Sequence, residues 1–151
     1  MRLLIIACSQ TKKNLGKPAP AWEVYDGTAF RIIKKMQREG TMPSDVDILI
    51  LSAKYGLLKP SDSIHFYNQK MDTHRAKAMQ KGCICLLAGW FGKHEYQEIF
   101  LGLPQVYMLA VSPFSIWLPE SCRLTTIENI QGFGPRSVAL KEWIWKNTKH
   151  S

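Results

Sequence analysis

Two runs constrain this chain most: Leu3 to Cys8 (LLIIAC), which is wholly apolar, and Val46 to Leu51 (VDILIL), which nearly is. Neither alternates polar with apolar residues, so as strands both are buried on two faces. Such strands need a covering layer on each side of their sheet. Between them a helical pattern begins at Thr28. Phe30, Ile33 and Met36 recur every three residues, with Lys34, Lys35 and Arg38 between them, and Gly40 and Pro43 close it. A second, longer helix starts after Asp72 or Thr73, either of which can cap it, and carries Ala76, Met79, Cys83, Leu86, Leu87 and Trp90 at its apolar positions. Cys83 and Cys85 read as core thiols of that helix. Gln105 to Val111 (QVYMLAV), set off by Pro104 and Pro113, reads as the third strand. Ser61 to Gln69 reads as irregular. Leu124 to Ile127 fits a short strand or a helix start, and Pro135 opens a last helix ending near Asn147. Strand and helix alternate three times, which predicts an α/β domain with a small, largely parallel sheet flanked by helices.

The length of 151 residues suits one domain over 1–151. With 46% hydrophobic and 21% charged residues the composition is globular rather than disordered. The four cysteines form no CxxC pair, so no metal site is expected, and reduced thiols imply a cytoplasmic setting. The start MRLLIIAC has too short an apolar segment for a signal peptide, and no apolar run is long enough to span a membrane. No cofactor motif is present; the GxxxxGK[ST] spacing of a P-loop is missing. The net charge of +8 favours an anionic partner, nucleic acid first among them, or else a basic surface that keeps the chain in solution.

In parallel sheets ligands bind beyond the carboxyl ends of the strands, so Cys8-Ser9 and Ser52-Ala53-Lys54 are expected to share one rim. In CSQTKK, Ser9 and Lys12 are candidate anion ligands and Cys8 a candidate nucleophile whose thiolate a nearby lysine favours. The alternative is a packing cysteine at the end of its strand. In WEVYDGTAF, Tyr25, Asp26, Gly27 and Thr28 precede or open a helix whose N-terminus can bind phosphate, or form a capping turn with no ligand. In LSAKYGLLKP, Ser52, Lys54, Tyr55 and Gly56 offer close backbone approach, a cation, a stacking face and a tight turn. Ile64, Phe66 and Tyr67 follow and can close over a planar ligand. In IENIQGFGPRSVAL a short helix, a Gly-apolar-Gly hairpin and a helix opened by Pro135 resemble a helix-hairpin-helix-like element within 122–148. Gly132, Gly134, Arg136 and Lys141 would there contact a nucleic-acid backbone; a plain loop and helix is the alternative. His74 and His94 read as solvated helix-face residues. Trp143 and Trp145 cannot both face the core, being about 200° apart on a helix.

The order S-x-x-K, VYDG, ILSAKYGLLKP and then a tyrosine before a methionine resembles the YaaA family of peroxide-stress proteins, in its short branch. The matching residues are Ser9, Lys12, Tyr25, Asp26, Gly27, Phe30, Leu51, Ser52, Tyr55, Gly56, Leu57, Leu58, Pro60, Tyr67 and Met71. The resemblance implies an α/β core with a positive cleft and a helix-hairpin-helix element, DNA binding, and a link to oxidative stress. More distantly, Cys8, Lys12, Tyr25 and Thr28 are similar in order to the catalytic domain of archaeosine synthase, which would imply a modified guanine in tRNA as substrate. Here the gap from Lys12 to Tyr25 is longer, and Phe30 stands near where that pattern has a histidine.

The leading expectation is therefore a nucleic-acid-binding protein, for DNA first, with a nucleotide, nucleobase or phosphate pocket at the strand ends. The second is an enzyme acting on a nucleobase or nucleotide, with Cys8 as nucleophile, Asp26 moving a proton and Lys12 holding an anion. The third is an interaction module using Trp117, Trp143 or Trp145.

Overall fold

A computed structural model of the chain describes residues 1–114 and 118–146; Trp117 and the expected helix end near Asn147 lie outside them. The elements in order are β1 (Arg2–Ala7), β2 (Ala19–Pro20), α1 (Ala21–Val24), α2 (Thr28–Glu39), β3 (Val46–Ser52), β4 (Gly56–Leu58) and β5 (Ser63–Ile64). Then come α3 (Thr73–Phe91), β6 (Glu98–Gly102), α4 (Gln105–Met108), a 3-10 turn at Leu109–Val111, β7 (Arg123–Thr126) and α5 (Phe133–Trp145). Five strands form one sheet in the order β4-β3-β1-β6-β7. β3, β1, β6 and β7 are parallel, and β4 folds back antiparallel on β3. β2 and β5 pair separately, tying the 61–69 segment to the start of α1.

β1 is the centre of the sheet, and its apolar run follows from that place. Leu4 and Ile6 face a core shared with Phe30, Ile33 and Met36 of α2 and Leu140, Trp143 and Ile144 of α5. Leu3 and Ile5 face the opposite core with Ala76, Cys83 and Leu87 of α3. Both layers are required because both faces of the strand are apolar. α2 is flanked by Gly27 before its first residue and by Gly40 after its last, and Gly40 adopts the left-handed conformation (φ 72°) that ends helices. The Asp72 carboxylate caps α3 by accepting the Arg75 N–H at 2.7 Å. Arg2, wholly buried, fastens β1 to α5: its guanidinium donates to the Trp143 and Ile144 carbonyls at 2.6 and 3.0 Å and pairs with Asp45 at 3.3 Å.

Four sequence expectations are corrected. The segment 105–111 is not a strand but α4 and the 3-10 turn, opened by Pro104, whose carbonyl accepts from Tyr107 and Met108. The third parallel strand is instead Glu98–Gly102, whose apolar run pairs along β1 from Arg2 to Ile6. Short apolar runs fit either element by pattern alone, and the pairing with β1 decides between them. Residues 127–130 are a turn closed by the Ile130 N–H on the Ile127 carbonyl (2.9 Å), preceded by β7. The helix-hairpin-helix-like element therefore lacks its first helix; the segment is strand, turn, helix. Cys83 is buried but Cys85 is exposed, since two residues carry it round to the far side of α3. His94 stands past the end of α3, half-buried, its ring stacked on Trp90 with centroids 4.1 Å apart, rather than on a solvated helix face. On α5, Trp143 is buried and Trp145 exposed. Among the described residues no helix is long and apolar enough to cross a membrane.

Candidate functional site

The chain leaves β1 towards β3 on one side and later crosses to β6 on the other. The carboxyl ends of β1 and β6 are thus the point where strand order reverses, the place where open α/β sheets leave a crevice. A cavity of about 500 Å³ lies there. Its wall includes Cys8, Ser9 and Thr11 after β1, Thr28 on α2, Tyr107 on α4, and Phe133 and Arg136 on α5. Among the described residues no carboxylate lines it, and Arg136 is its one charged group. The first turns of α2 and α5 both open on it, and neither has a side-chain cap.

The loop after β1 is held to the α1–α2 connection by backbone bonds: Lys13 N–H to the Val24 carbonyl (2.8 Å) and Asp26 N–H to the Thr11 carbonyl (2.9 Å). This clamp brings Ser9 against Gly27, whose N–H donates to the Ser9 hydroxyl at 3.1 Å. A Cβ on Gly27 would lie 2.4 Å from the Ser9 Cβ, so only glycine permits the approach.

Cys8 joins the cavity to a second polar group. Its sulfur accepts the Ala53 N–H at 3.3 Å and lies 3.2 Å from the Tyr107 hydroxyl. Burial first, and the adjoining Cys8 second, push the Tyr107 phenol well above its ordinary range, so it keeps its proton. Behind Cys8 the Tyr67 hydroxyl lies 2.6 Å from Tyr25 and 2.9 Å from Ser52. Burial drives both phenols upward, Tyr25 to about 12. The Lys12 ammonium sits 4.6 Å from the centre of the Tyr67 ring, and Lys54 lies over Tyr55 and Tyr67 at 5.3 and 5.9 Å. Partial burial lowers Lys12, while the neighbouring Cys8 acts against that shift. Arg75 donates to the Ala53 and Lys54 carbonyls (2.7 and 2.6 Å), fixing this turn against α3.

Cys8 and Ser52 turns do adjoin, as the Cys8 N–H bond to the Leu51 carbonyl (2.9 Å) requires. The cavity, however, opens between β1 and β6 and not between β1 and β3. Of the residues singled out in the sequence, Cys8, Ser9, Gly27, Thr28 and Arg136 line it. Lys12, Tyr25, Ser52, Lys54, Tyr55 and Tyr67 form the group behind Cys8. Asp26 lines neither; Arg31 pairs with it at 3.2 Å and holds its carboxyl below the usual range, which suits an ion-pair partner rather than a proton carrier. Gly56 (φ 77°) makes the turn into β4 and pairs there with Ser52. Lys141 is exposed on α5 away from the cavity wall, and Gly132 and Gly134 flank Phe133. Sequence reasoning passed over Tyr107, hidden in a segment taken as strand, and Phe133, seen only as the apolar residue between two glycines. Among the described residues no cluster of three His, Cys, Asp or Glu side chains could hold a metal ion.

No curated protein and no solved structure matches this chain. One family model does, over residues 3–96, a span that includes Cys8, Ser9, Lys12, Tyr25, Ser52 and Tyr67 but ends before Tyr107, Phe133 and Arg136. The chain belongs to that family, DUF6884, a family of unknown function.

Proposed function

We propose that the protein binds nucleic acid, DNA first, and takes one nucleotide unit into the cavity between β1 and β6. The observation that carries this reading is the make-up of the cavity wall: one arginine, no carboxylate, polar Ser9, Thr11 and Thr28, and apolar Phe30, Phe100 and Ile127. Such a wall suits a ligand that is anionic at one end and planar and apolar at the other. Its size lies in the range of small-ligand pockets. The net charge of +8 and the likeness of the Ser9, Tyr25 and Ser52 motifs to the YaaA family point the same way. Phosphate-driven affinity falls steeply with salt. A short DNA duplex and a nucleoside monophosphate are the probes. Both should bind, the monophosphate should compete with the duplex, and Arg136→Ala should weaken both. Absence of binding at about 50 mM salt, or affinity unchanged at about 200 mM, overturns the reading.

A second reading is favoured by Cys8: the protein acts chemically on the bound unit. Two groups, the Ala53 N–H and the Tyr107 hydroxyl, converge on a sulfur that lines the cavity, an arrangement that positions a nucleophile against a bound unit. Trapping of a covalent adduct on Cys8 by mass spectrometry after incubation with DNA, absent from Cys8→Ser, tests it; a DNA product formed equally by Cys8→Ser removes the nucleophile role.

A further inference from the structure

Phe133 is 81% exposed, far more than any other large apolar side chain described, yet it lines the cavity. It therefore stands at the rim. Gly132 (φ 89°) turns the chain immediately before it, and Pro135 packs 3.5 Å from where a Gly132 Cβ would be. Gly134 has open space where a Cβ would be. The ring is thus carried forward on a stiff helix start with no side chain crowding it from the flanking positions. Leaving such a side chain in water forgoes the stabilisation of burying it, so packing of the fold gives no reason for this placement. Beside it, the Arg136 Nε donates to the Ile130 carbonyl at 2.7 Å, which fixes the guanidinium at the cavity with no carboxylate in the wall to neutralise it.

We propose that Phe133 is a wedge: it enters the gap between neighbouring bases of a bound strand while one base turns out of the stack into the cavity, towards Cys8, and Arg136 holds its phosphate at the rim. This rests on the nucleic-acid reading above and supplies what that reading lacks. A stacked base cannot reach a cavity in a protein wall without leaving its neighbours, which costs unstacking energy. An aromatic ring in the vacated gap restores a stacking contact. The cavity, the protruding ring and the rim arginine occupy the first two turns of α5 and the strand ends opposite, so one strand can meet all three.

The test uses DNA duplexes carrying 2-aminopurine, whose fluorescence rises on unstacking, either correctly paired or opposite a mismatch. Wild-type protein should raise the fluorescence, and the mismatched duplex should bind more tightly, since its base is already loosened. Phe133→Ala should bind about tenfold more weakly, the loss of one stacking contact, keep the same salt dependence and lose most of the fluorescence rise. Phe133→Trp should retain the rise. Salt-dependent binding with no rise, or a full rise in Phe133→Ala, overturns the wedge and leaves the nucleic-acid reading standing. Loss of self-association in Phe133→Ala, with the rise unchanged, also overturns it and identifies the ring as a contact between copies. Failure of either duplex to bind at low salt overturns both the wedge and the reading it rests on.

Discussion

The hydroxyls of Tyr25 and Tyr67 lie 2.6 Å apart, and the direction of that bond is set at Ser52. The Ser52 hydroxyl accepts the N–H groups of Lys54 (3.2 Å) and Tyr55 (3.0 Å), which occupies both its lone pairs. Its own proton therefore goes to Tyr67 at 2.9 Å, and that of Tyr67 goes on to Tyr25. The turn after β3 thereby orders a chain of donors that ends beside the strand carrying Cys8. Removing the middle member strands two groups, and removing the last strands one.

Tyr67→Phe should accordingly cost about 2–3 kcal/mol and Tyr25→Phe about 1 kcal/mol, since a buried group left unpaired costs about 1–3 kcal/mol. The double variant should lose less than the sum, because both changes act on one chain of bonds. Urea denaturation of the three variants measures this. Equal single losses, or strict additivity, would remove the directional argument.

Burial raises the phenols of Tyr25, Tyr67, Tyr96 and Tyr107, Tyr25 to about 12. A raised folded value means the native state keeps protons that the unfolded chain releases near pH 10. This contribution to stability is complete below about pH 10 and is lost as pH rises towards 12, at about 1.4 kcal/mol per pH unit for each phenol. Absorbance titration should show most tyrosinate appearing only with the loss of near-ultraviolet circular dichroism. Tyrosinate that forms reversibly around pH 10 in a folded protein would contradict the burial of these rings.

Gly27→Ala tests how the cavity floor is built. The new Cβ would meet the Ser9 Cβ at 2.4 Å, a clash between two short groups that cannot turn aside. The loop after β1 must then leave α2, at a cost of about 1–3 kcal/mol, and the Gly27 N–H bond to Ser9 is lost with it. Nucleotide binding should fall further than stability does. Gly82→Ala, on the exposed side of α3 with open space around it and an ordinary helical backbone, serves as the control for which binding should be unchanged.

The two central strands were legible because the layers on both faces leave no polar position on β1 from Leu3 to Ala7, and a period-free apolar run has few other meanings. α2 was legible through Phe30, Ile33 and Met36, all of which are buried. The strand Glu98–Gly102 was not, because it carries Glu98, a buried carboxylate whose partners Arg123 and Lys146 come from distant sequence. Without those partners in view, EIFLG is merely a short apolar stretch. The same limit hid the cavity. Cys8 and Ser52 could be paired through the β1–β3 likeness of their turns, but Tyr107, Phe133 and Arg136 arrive through tertiary placement of α4 and α5. The switch of strand order from β3 to β6 across β1 decides the site, and no local motif records it.

Cys8 and Cys85 offer a last comparison within one molecule. Cys85 is exposed on α3 and does not line the cavity, whereas Cys8 is half-buried on the cavity wall with the Ala53 N–H and the Tyr107 hydroxyl on its sulfur. Exposure alone would make Cys85 the faster target of iodoacetamide. The contacts that hold the Cys8 sulfur in place at the cavity wall act in favour of Cys8. Peptide mapping after brief alkylation should find Cys8 modified at least as fast as Cys85. Tyr107→Phe should slow Cys8 severalfold and leave Cys85 alone. A nucleoside monophosphate added beforehand should protect Cys8 and not Cys85, because only Cys8 shares a wall with the proposed ligand. Protection of neither thiol by a ligand that demonstrably binds would move the binding site away from the β1–β6 cavity.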